Sequence, residues 1–104
     1  MNQQPKSLSI VIATHNRVKL LLQTLQSLSQ LAVPPGVEVE LIICANACTD
    51  DTVETCQPVL PGLPFTGYCI TEPRAGLSHA RNTALAKARG DIVAFLDDDI
   101  WVDR

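Results

Sequence analysis

The stretch Ile92-Val93-Ala94-Phe95-Leu96-Asp97-Asp98-Asp99 decides how this sequence is interpreted. Its first five residues are all apolar, which predicts a short strand buried on both faces of a sheet. Three carboxylates follow directly, and they repel one another unless a positively charged group lies between them. A solvated acidic turn or a helix cap is the alternative. The position directly after a buried strand favours a functional site.

The three aspartates are expected to point in different directions. Side chains alternate along extended backbone, so Asp97 and Asp99 should share one side and Asp98 should take the other. Two carboxylates on one side suit a hard divalent cation, Mg²⁺ or Mn²⁺. Such ions usually keep several waters and complete their shell with substrate phosphates. The triplet therefore predicts a metal site that also takes a phosphorylated ligand.

The rest of the chain alternates between strand and helix patterns. Short apolar or alternating runs predict strands, and Leu or Ala residues at three- and four-residue spacing predict helices. Strands are predicted at 8–13, 37–44, 65–71 and 92–96, with helices at 17–31, from Asp51 to just before Pro58, and from a Ser78 cap to Arg89. This order predicts an α/β domain with a mainly parallel, Rossmann-like sheet.

Polar clusters follow the predicted strands. Residues 14–16 (Thr-His-Asn) end the first strand and could cap the helix after it, and residues 46–50 end the second. Ligands of parallel sheets bind beyond the carboxyl ends of the strands, so these clusters and the aspartates should meet at one edge. His15, as a lone histidine, is expected to pack or hydrogen-bond rather than act as a base.

The loop before the last helix carries cations. Arg74 and Arg81 lie in or beside it, and together with the helix N-terminus they would suit a diphosphate. The alternative is that Arg81 and His79 are ordinary surface residues, and for His79 we prefer that alternative.

Bulk composition excludes several classes of protein. The 104 residues suffice for one small domain, with 46% hydrophobic and 18% charged residues and a net charge of −3. That charge argues against a nucleic-acid partner. No apolar run approaches a membrane span and no secretory signal precedes the first strand, so we expect a location in the cytoplasm or at the cytoplasmic face of a membrane.

Cys44 and Cys69 lie in apolar runs and should be buried as small hydrophobic residues.

Four segments resemble family 2 glycosyltransferases with the GT-A fold. They are the strand and turn at 10–17 (IVIATHNR), the loop at 44–50 (CANACTD, against V-D-N-G-S-T-D), the segment 76–82 (GLSHARN, against G-x-x-x-A-R-N) and the segment 94–99 (AFLDDD). The motifs occur in the family's order and cover almost the whole chain.

The resemblance implies a nucleotide-diphospho-sugar donor, most often a UDP-sugar, and a saccharide or lipid-linked acceptor. Transfer would invert the anomeric carbon, with Mg²⁺ or Mn²⁺ bridging the diphosphate to the protein. It implies that Asp99 is the direct metal ligand and that Asp97 contacts the ribose or assists the metal. The donor-binding residues implied are Ala13, Thr14, Asn16, Arg17, Asn46, Arg74, Arg81, Asp97 and Asp98.

The resemblance also limits what this chain should do. The general base and the acceptor-binding part lie beyond residue 104 in relatives, so residues 1–104 are expected to be the N-terminal donor-binding part alone, without turnover. Ala45 stands where the family usually has an aspartate that contacts the base, and Ala47-Cys48 replaces Gly-Ser. A non-catalytic nucleotide-sugar-binding or interaction remnant of the same fold is therefore the main alternative.

Two other enzyme classes fit less well. A nucleotidyltransferase needs a Gly-rich, Arg-containing loop after the first strand, which residues 14–17 do not provide. A DxD phosphatase would carry its acids after the first strand.

Overall fold

A computed structural model describes residues 6–98 of the chain. Strands and helices alternate along it, as the sequence pattern predicted. The strands are β1 (Ser7–Thr14), β2 (Glu38–Asn46), β3 (Thr66–Glu72) and β4 (Ile92–Leu96), and the helices are α1 (Val18–Leu28), α2 (Thr52–Cys56) and α3 (Leu77–Lys87). A 3₁₀ helix, Gln57–Gly62, follows α2 directly.

The four strands form one parallel sheet in the order β3-β2-β1-β4. The chain moves outward from β1 to β3 and then returns to the other side of β1 for β4. The connection after β1 leads to one side of that strand, and β4 lies on its other side. The carboxyl ends of β1 and β4 therefore form a topological switch point. In open α/β sheets this is where a crevice for a ligand forms.

The core lies on both faces of the sheet because the strands are apolar on both faces. On one face α1, α2 and the 3₁₀ helix bury the larger cluster, which contains Ile10, Ile12, Leu21, Leu25, Leu28, Leu41, Ile43, Cys56, Leu60 and Leu63. On the other face α3 covers a smaller cluster of Val11, Ile42, Cys44, Ala80 and Ala84. Alanines at the contact let α3 lie close to β1 and β2.

β4 differs from its prediction as a strand buried on both faces. Ile92 and Phe95 are 48% and 41% exposed. Within residues 6–98, β4 pairs with β1 alone and so forms the edge of the described sheet. The apolar run predicted the strand correctly, but within residues 6–98 only one edge of β4 is paired with another strand.

Helix ends also differ from the prediction. α1 begins at Val18 without a side-chain cap, so residues 14–16 do not cap it. α3 begins at Leu77 after Gly76, which has a φ of 131°, and Ser78 lies inside the helix instead of capping it. α2 ends before Pro58 as predicted. No helix in residues 6–98 is both long and apolar enough to cross a membrane.

Candidate functional site

A cavity of about 300 Å³ opens at the carboxyl edge of the sheet, at the switch point between β1 and β4. The ends of β1, β2 and β4 and the first residue of α3 all contribute to it. Its lining consists of Ala13, Thr14, His15, Arg17, Asn46, Leu77, Asp97 and Asp98. The polar clusters that the sequence placed after separate strands therefore do meet at one site.

Asp98 is buried and bonded inside the protein. The Thr14 hydroxyl donates to Asp98 Oδ2 at 2.9 Å, and Arg17 Nη1 lies 3.3 Å from Oδ1. The Thr24 hydroxyl donates to the Asp98 backbone carbonyl at 2.8 Å. These bonds hold the end of β4 against β1 and α1. Asp98 therefore shapes the cavity wall, and its carboxylate is already paired with a cation.

Asp97 is exposed and lines the same cavity. Its carboxylate makes no hydrogen bond with the rest of residues 6–98, so its oxygens can accept from or ligate a bound group. Asp98 is buried and Asp97 is exposed, although both line the cavity. Asp99, the residue expected to bind metal directly, lies outside the described residues. Within residues 6–98 no three His, Cys, Asp or Glu side chains form a group that could hold a metal ion.

Asn46 joins the end of β2 to the loop that leads into α3. Its Nδ2 donates to the backbone carbonyls of Glu72, at 3.1 Å, and Arg74, at 2.7 Å. Its Oδ1 accepts from the Gly76 N–H at 3.0 Å. Both amide N–H groups are thus used within the protein. Asn46 therefore contributes to the cavity through these bonds, which fix the loop that leads into α3.

Asn16 joins the loop after β1 to the loop after β2. Its backbone is left-handed, with a φ of 52°, a conformation that Asn adopts more readily than most residues. Its Oδ1 accepts from the backbone N–H groups of Thr49, at 2.7 Å, and Asp50, at 3.2 Å. The sequence pattern marked Asn16 as a site residue, and the structure shows that it holds two site loops together.

Arg74 is held by a buried glutamate that the sequence analysis did not single out. Glu72 accepts from the Arg74 N–H at 2.7 Å and from Nε and Nη2 at 3.0 Å each, and from the Thr83 hydroxyl. The side-chain bonds from Arg74, followed by that from Thr83, lower the pKa of Glu72 to about 2. The only signal in the sequence was an acid at the end of a mostly apolar strand.

The two arginines predicted to bind a diphosphate lie in different environments. The Arg74 side chain is 65% exposed although it is ion-paired, so part of the guanidinium faces outward at the loop. Arg81 is not among the residues that line the cavity. Its guanidinium lies over the Phe95 ring, 5.0 Å from the centroid. The structure therefore brings Arg17, rather than Arg81, to the cavity.

His15 hydrogen-bonds, as expected. Its Nδ1 lies 2.7 Å from the Asn46 carbonyl oxygen. Because a carbonyl only accepts, Nδ1 carries the hydrogen in this contact.

Two other cavities flank this region. One of about 520 Å³ lies beside Asn46 over the ends of β2 and β3, and its walls include Ala45, Cys48 and Glu72. Another, of about 870 Å³, runs along β3 and the 3₁₀ helix. It is away from the strand ends, so its size does not make it the functional site.

The sequence profile described as Glycosyl transferase family 2 matches residues 9–104, almost the whole chain. The chain belongs to this family. Its parallel sheet with alternating helices is the fold of GT-A glycosyltransferases, as the resemblance implied. The chain spans between 9% and 36% of the length of the curated relatives compared with it.

Three similar proteins illustrate the match. The UDP-Glc:alpha-D-GlcNAc-diphosphoundecaprenol beta-1,3-glucosyltransferase WfaP of Escherichia coli is 36% identical over 90% of this chain and 36% of its own length. The mannosyltransferase PcManGT from Pyrobaculum calidifontis, solved in complex with GDP-Man and Mn²⁺, is 28% identical with a TM-score of 0.76, over 94% of this chain and 28% of its own. Residues 1–349 of S. aureus TarS, solved with UDP-GlcNAc, give 25% identity and a TM-score of 0.73, over 93% and 28%.

Proposed function

We propose that this chain is the donor-binding part of a glycosyltransferase that transfers a sugar from a nucleotide-diphospho-sugar, a UDP-sugar by preference, to an acceptor hydroxyl with inversion. The acceptor is a saccharide or a lipid-linked saccharide. One observation carries the proposal: an exposed carboxylate, Asp97, which has no partner among residues 6–98, lines a cavity at the switch point of a family 2 fold. The nucleotide sugars bound by PcManGT and TarS support the class of donor.

The described residues supply binding and orientation. Arg17 lies at the cavity with 55% of its side chain exposed, so its outer face can meet a phosphate oxygen while Nη1 stays on Asp98. Arg74 offers a second exposed guanidinium at the neighbouring loop, which Asn46 and Glu72 hold in place. Fixed cations of this kind orient a diphosphate without rearranging when it binds.

The side chains present fit a divalent metal at Asp97. A free carboxylate is the hard oxygen ligand that Mg²⁺ and Mn²⁺ prefer, and such ions need only one or two from the protein when phosphates and waters complete the shell. Asp98 is not available for this, because Thr14 and Arg17 occupy its carboxylate. Asp99 remains a proposed second ligand. When bound, the metal would neutralise charge on the departing nucleoside diphosphate.

We assign the general base and the acceptor site to the parts of the relatives that this chain does not span. Residues 1–104 are then expected to bind the donor but not to transfer the sugar.

Calorimetric titration with UDP and UDP-sugars tests the proposal, in Mn²⁺ and again in EDTA. We expect binding that depends on Mn²⁺ and that weakens about tenfold or more in Asp97→Asn, since one ligand of a hard cation is lost. Asp91→Asn is the matched control, because Asp91 lies at the opposite end of β4, where its carboxylate is hydrogen-bonded to Lys6 and Ser7. The affinity of Asp91→Asn for these nucleotides should stay within about twofold of that of the unaltered chain, as expected for a surface change away from a site.

Binding that is unaffected by EDTA, or that Asp97→Asn and Asp91→Asn reduce equally, would contradict the metal-dependent site. No binding of any nucleotide sugar by a longer protein that includes the rest of the family domain would contradict donor binding itself.

A non-catalytic nucleotide-sugar-binding protein of the same fold is the second candidate. Ala45 favours it, since this buried residue, only 2% exposed, brings no polar group to the end of β2. Sugar transfer by the longer protein would exclude this candidate, whereas metal-dependent binding without transfer would support it.

A further inference from the structure

The β3 side of the sheet carries a long groove that the proposed function does not use. Within residues 6–98, β3 pairs with β2 alone, so its other edge is open. The cavity of about 870 Å³ runs along this edge and is lined by residues of β3, of the 3₁₀ helix and of α3. Because the 3₁₀ helix and α3 lie on opposite faces of the sheet, the groove follows the strand edge rather than one face. An extended segment can add to a sheet at such an edge.

β3 lacks the features by which proteins usually protect an open edge. Edge strands commonly carry lysines, prolines or bulges that prevent pairing with another chain. Residues 66–71 (TGYCIT) contain no charge and no proline, and the acid that follows, Glu72, is buried and ion-paired with Arg74. Among the described residues that line the groove, only Lys87 is charged, and its ammonium lies 4.7 Å from the centroid of the Tyr68 ring. The edge is therefore suited to pairing with another strand.

The edge is complementary to a second copy of itself. Two identical strands related by a two-fold axis pair antiparallel, and each contributes the same surface. All seven residues of β3 pair in one such register alone, with the two Cys69 residues facing each other across the axis. Tyr68 then lies opposite Ile70 of the second copy, and an aromatic residue opposite a β-branched one stabilises a sheet.

The charges beside the strand fit the same register. β2 pairs with β3 so that Glu40 lies beside Thr66, which places Glu38 level with position 64. In the antiparallel register, position 64 lies opposite position 74 of the second copy. The exposed Glu38 therefore lies near Arg74 of the second copy, whose side chain is 65% exposed. The two-fold axis gives this contact between opposite charges twice.

We propose that the β3 edge is a self-association surface through which two copies of this chain form a two-fold dimer. The dimer joins the two described four-stranded sheets into one, and the strand of each copy covers the groove of the other. Because the two β3 strands run antiparallel, the two candidate donor sites open at opposite edges of the joined sheet. The association does not depend on the proposed function, since the groove shares no residue with the donor cavity.

Sedimentation velocity of the full chain between about 1 µM and 1 mM tests the proposal, a range that includes weak association. We expect the mean mass to rise from 11.3 kDa towards twice that value. Tyr68→Lys places a charge in the paired edge and should raise the dimer dissociation constant about tenfold or more. Leu20→Lys is the matched control, because Leu20 is similarly exposed (40%, against 37% for Tyr68) but lies on α1, outside the groove. Its dissociation constant should stay within about twofold of that of the unaltered chain.

Cys69 gives an independent test of the register. Residues directly opposite in antiparallel strands have Cα atoms about 4.5–5.5 Å apart, which lies within the range of a disulfide. Oxidation with copper–phenanthroline should therefore give a covalent dimer, in which mass spectrometry finds Cys69 joined to Cys69. Cys69→Ser should abolish this product. Cys48→Ser is the control, because Cys48 is also partly exposed, and it should leave the product unchanged.

Glu38→Arg provides a further variant should Tyr68→Lys fold poorly by circular dichroism. It places like charges beside Arg74 of the second copy and should raise the dissociation constant about threefold or more at low ionic strength. Glu38 is exposed, so its replacement should leave the fold intact.

A chain that stays monomeric up to about 1 mM would overturn the proposal and leave the groove to a different occupant. A dimer that Tyr68→Lys and Leu20→Lys weaken equally would also overturn it. So would a dimer that oxidation links through any cysteine other than Cys69, because the contact would then lie elsewhere on the molecule.

Discussion

At the scale of single residues, Glu72 has the most perturbed environment among the described carboxylates. Hydrogen bonds from Arg74 and Thr83 lower its pKa from an ordinary 4.5 to about 2. The hydrogen bonds of the folded state favour the ionised Glu72 carboxylate. The stabilisation that they give is therefore complete above about pH 4.5 and is lost as the pH falls towards 2. Glu72→Gln should lower the free energy of unfolding at pH 7 and weaken its pH dependence between pH 4.5 and 2.

Urea unfolding at a series of pH values measures this effect. Glu54→Gln is the control, because Glu54 is exposed and makes no comparable set of bonds, and its pH dependence should match that of the unaltered chain. An unchanged acid slope in Glu72→Gln would show that other groups cause the acid response.

The sequence pattern predicted Asp97 as a site residue because it directly follows an apolar run that predicts a strand. It could not predict the bonds of Asn46 or Glu72, because their partners come from loops that only the folded sheet brings together. The same holds for Asp98, whose burial depends on Thr14 and Arg17, more than eighty residues earlier in the chain.

At the scale of elements, the link from α3 to β4 depends on a close approach at Gly90. A Cβ at this position would lie 2.5 Å from the Ser9 nitrogen and 2.8 Å from the Leu8 carbonyl carbon, both backbone atoms of β1. Gly90→Ala should therefore disturb the pairing of β1 with β4, at a cost of about 1–3 kcal/mol in unfolding free energy, typical of overpacking.

Gly62→Ala is the matched control, since a Cβ there meets nothing within 4 Å. Its stability should change by no more than about 0.5 kcal/mol. Urea denaturation of both variants gives the measurement, and equal midpoints would contradict the steric argument. The order of the elements could be predicted from the sequence, but their ends could not, because the ends depend on contacts between distant residues. For example, α3 ends at Lys87, and the Arg89 N–H then donates a hydrogen bond to Glu40 of β2.

At the scale of the whole molecule, the two layers that cover the sheet are unequal. Among residues 6–98, the side with α1, α2 and the 3₁₀ helix buries ten core residues, whereas the α3 side buries five, of which α3 contributes two alanines. Since apolar burial is the main stabilising term, α3 should separate from the sheet at a lower free energy than the opposite layer.

Two buried cysteines report on the two layers separately. Cys44 belongs to the α3 side and Cys56 to the opposite side, and burial raises their thiol pKa values to about 11 and about 12. Both thiols should be inert to a thiol reagent at pH 8 until their layer opens, because the thiolate is the reactive form. We expect Cys44 to react about tenfold or more faster than Cys56 without denaturant, with the two rates converging as urea makes global unfolding the common route. Single-cysteine variants labelled by a maleimide and followed by mass spectrometry give both rates. Equal rates without denaturant would show that the two layers open together, as one cooperative unit.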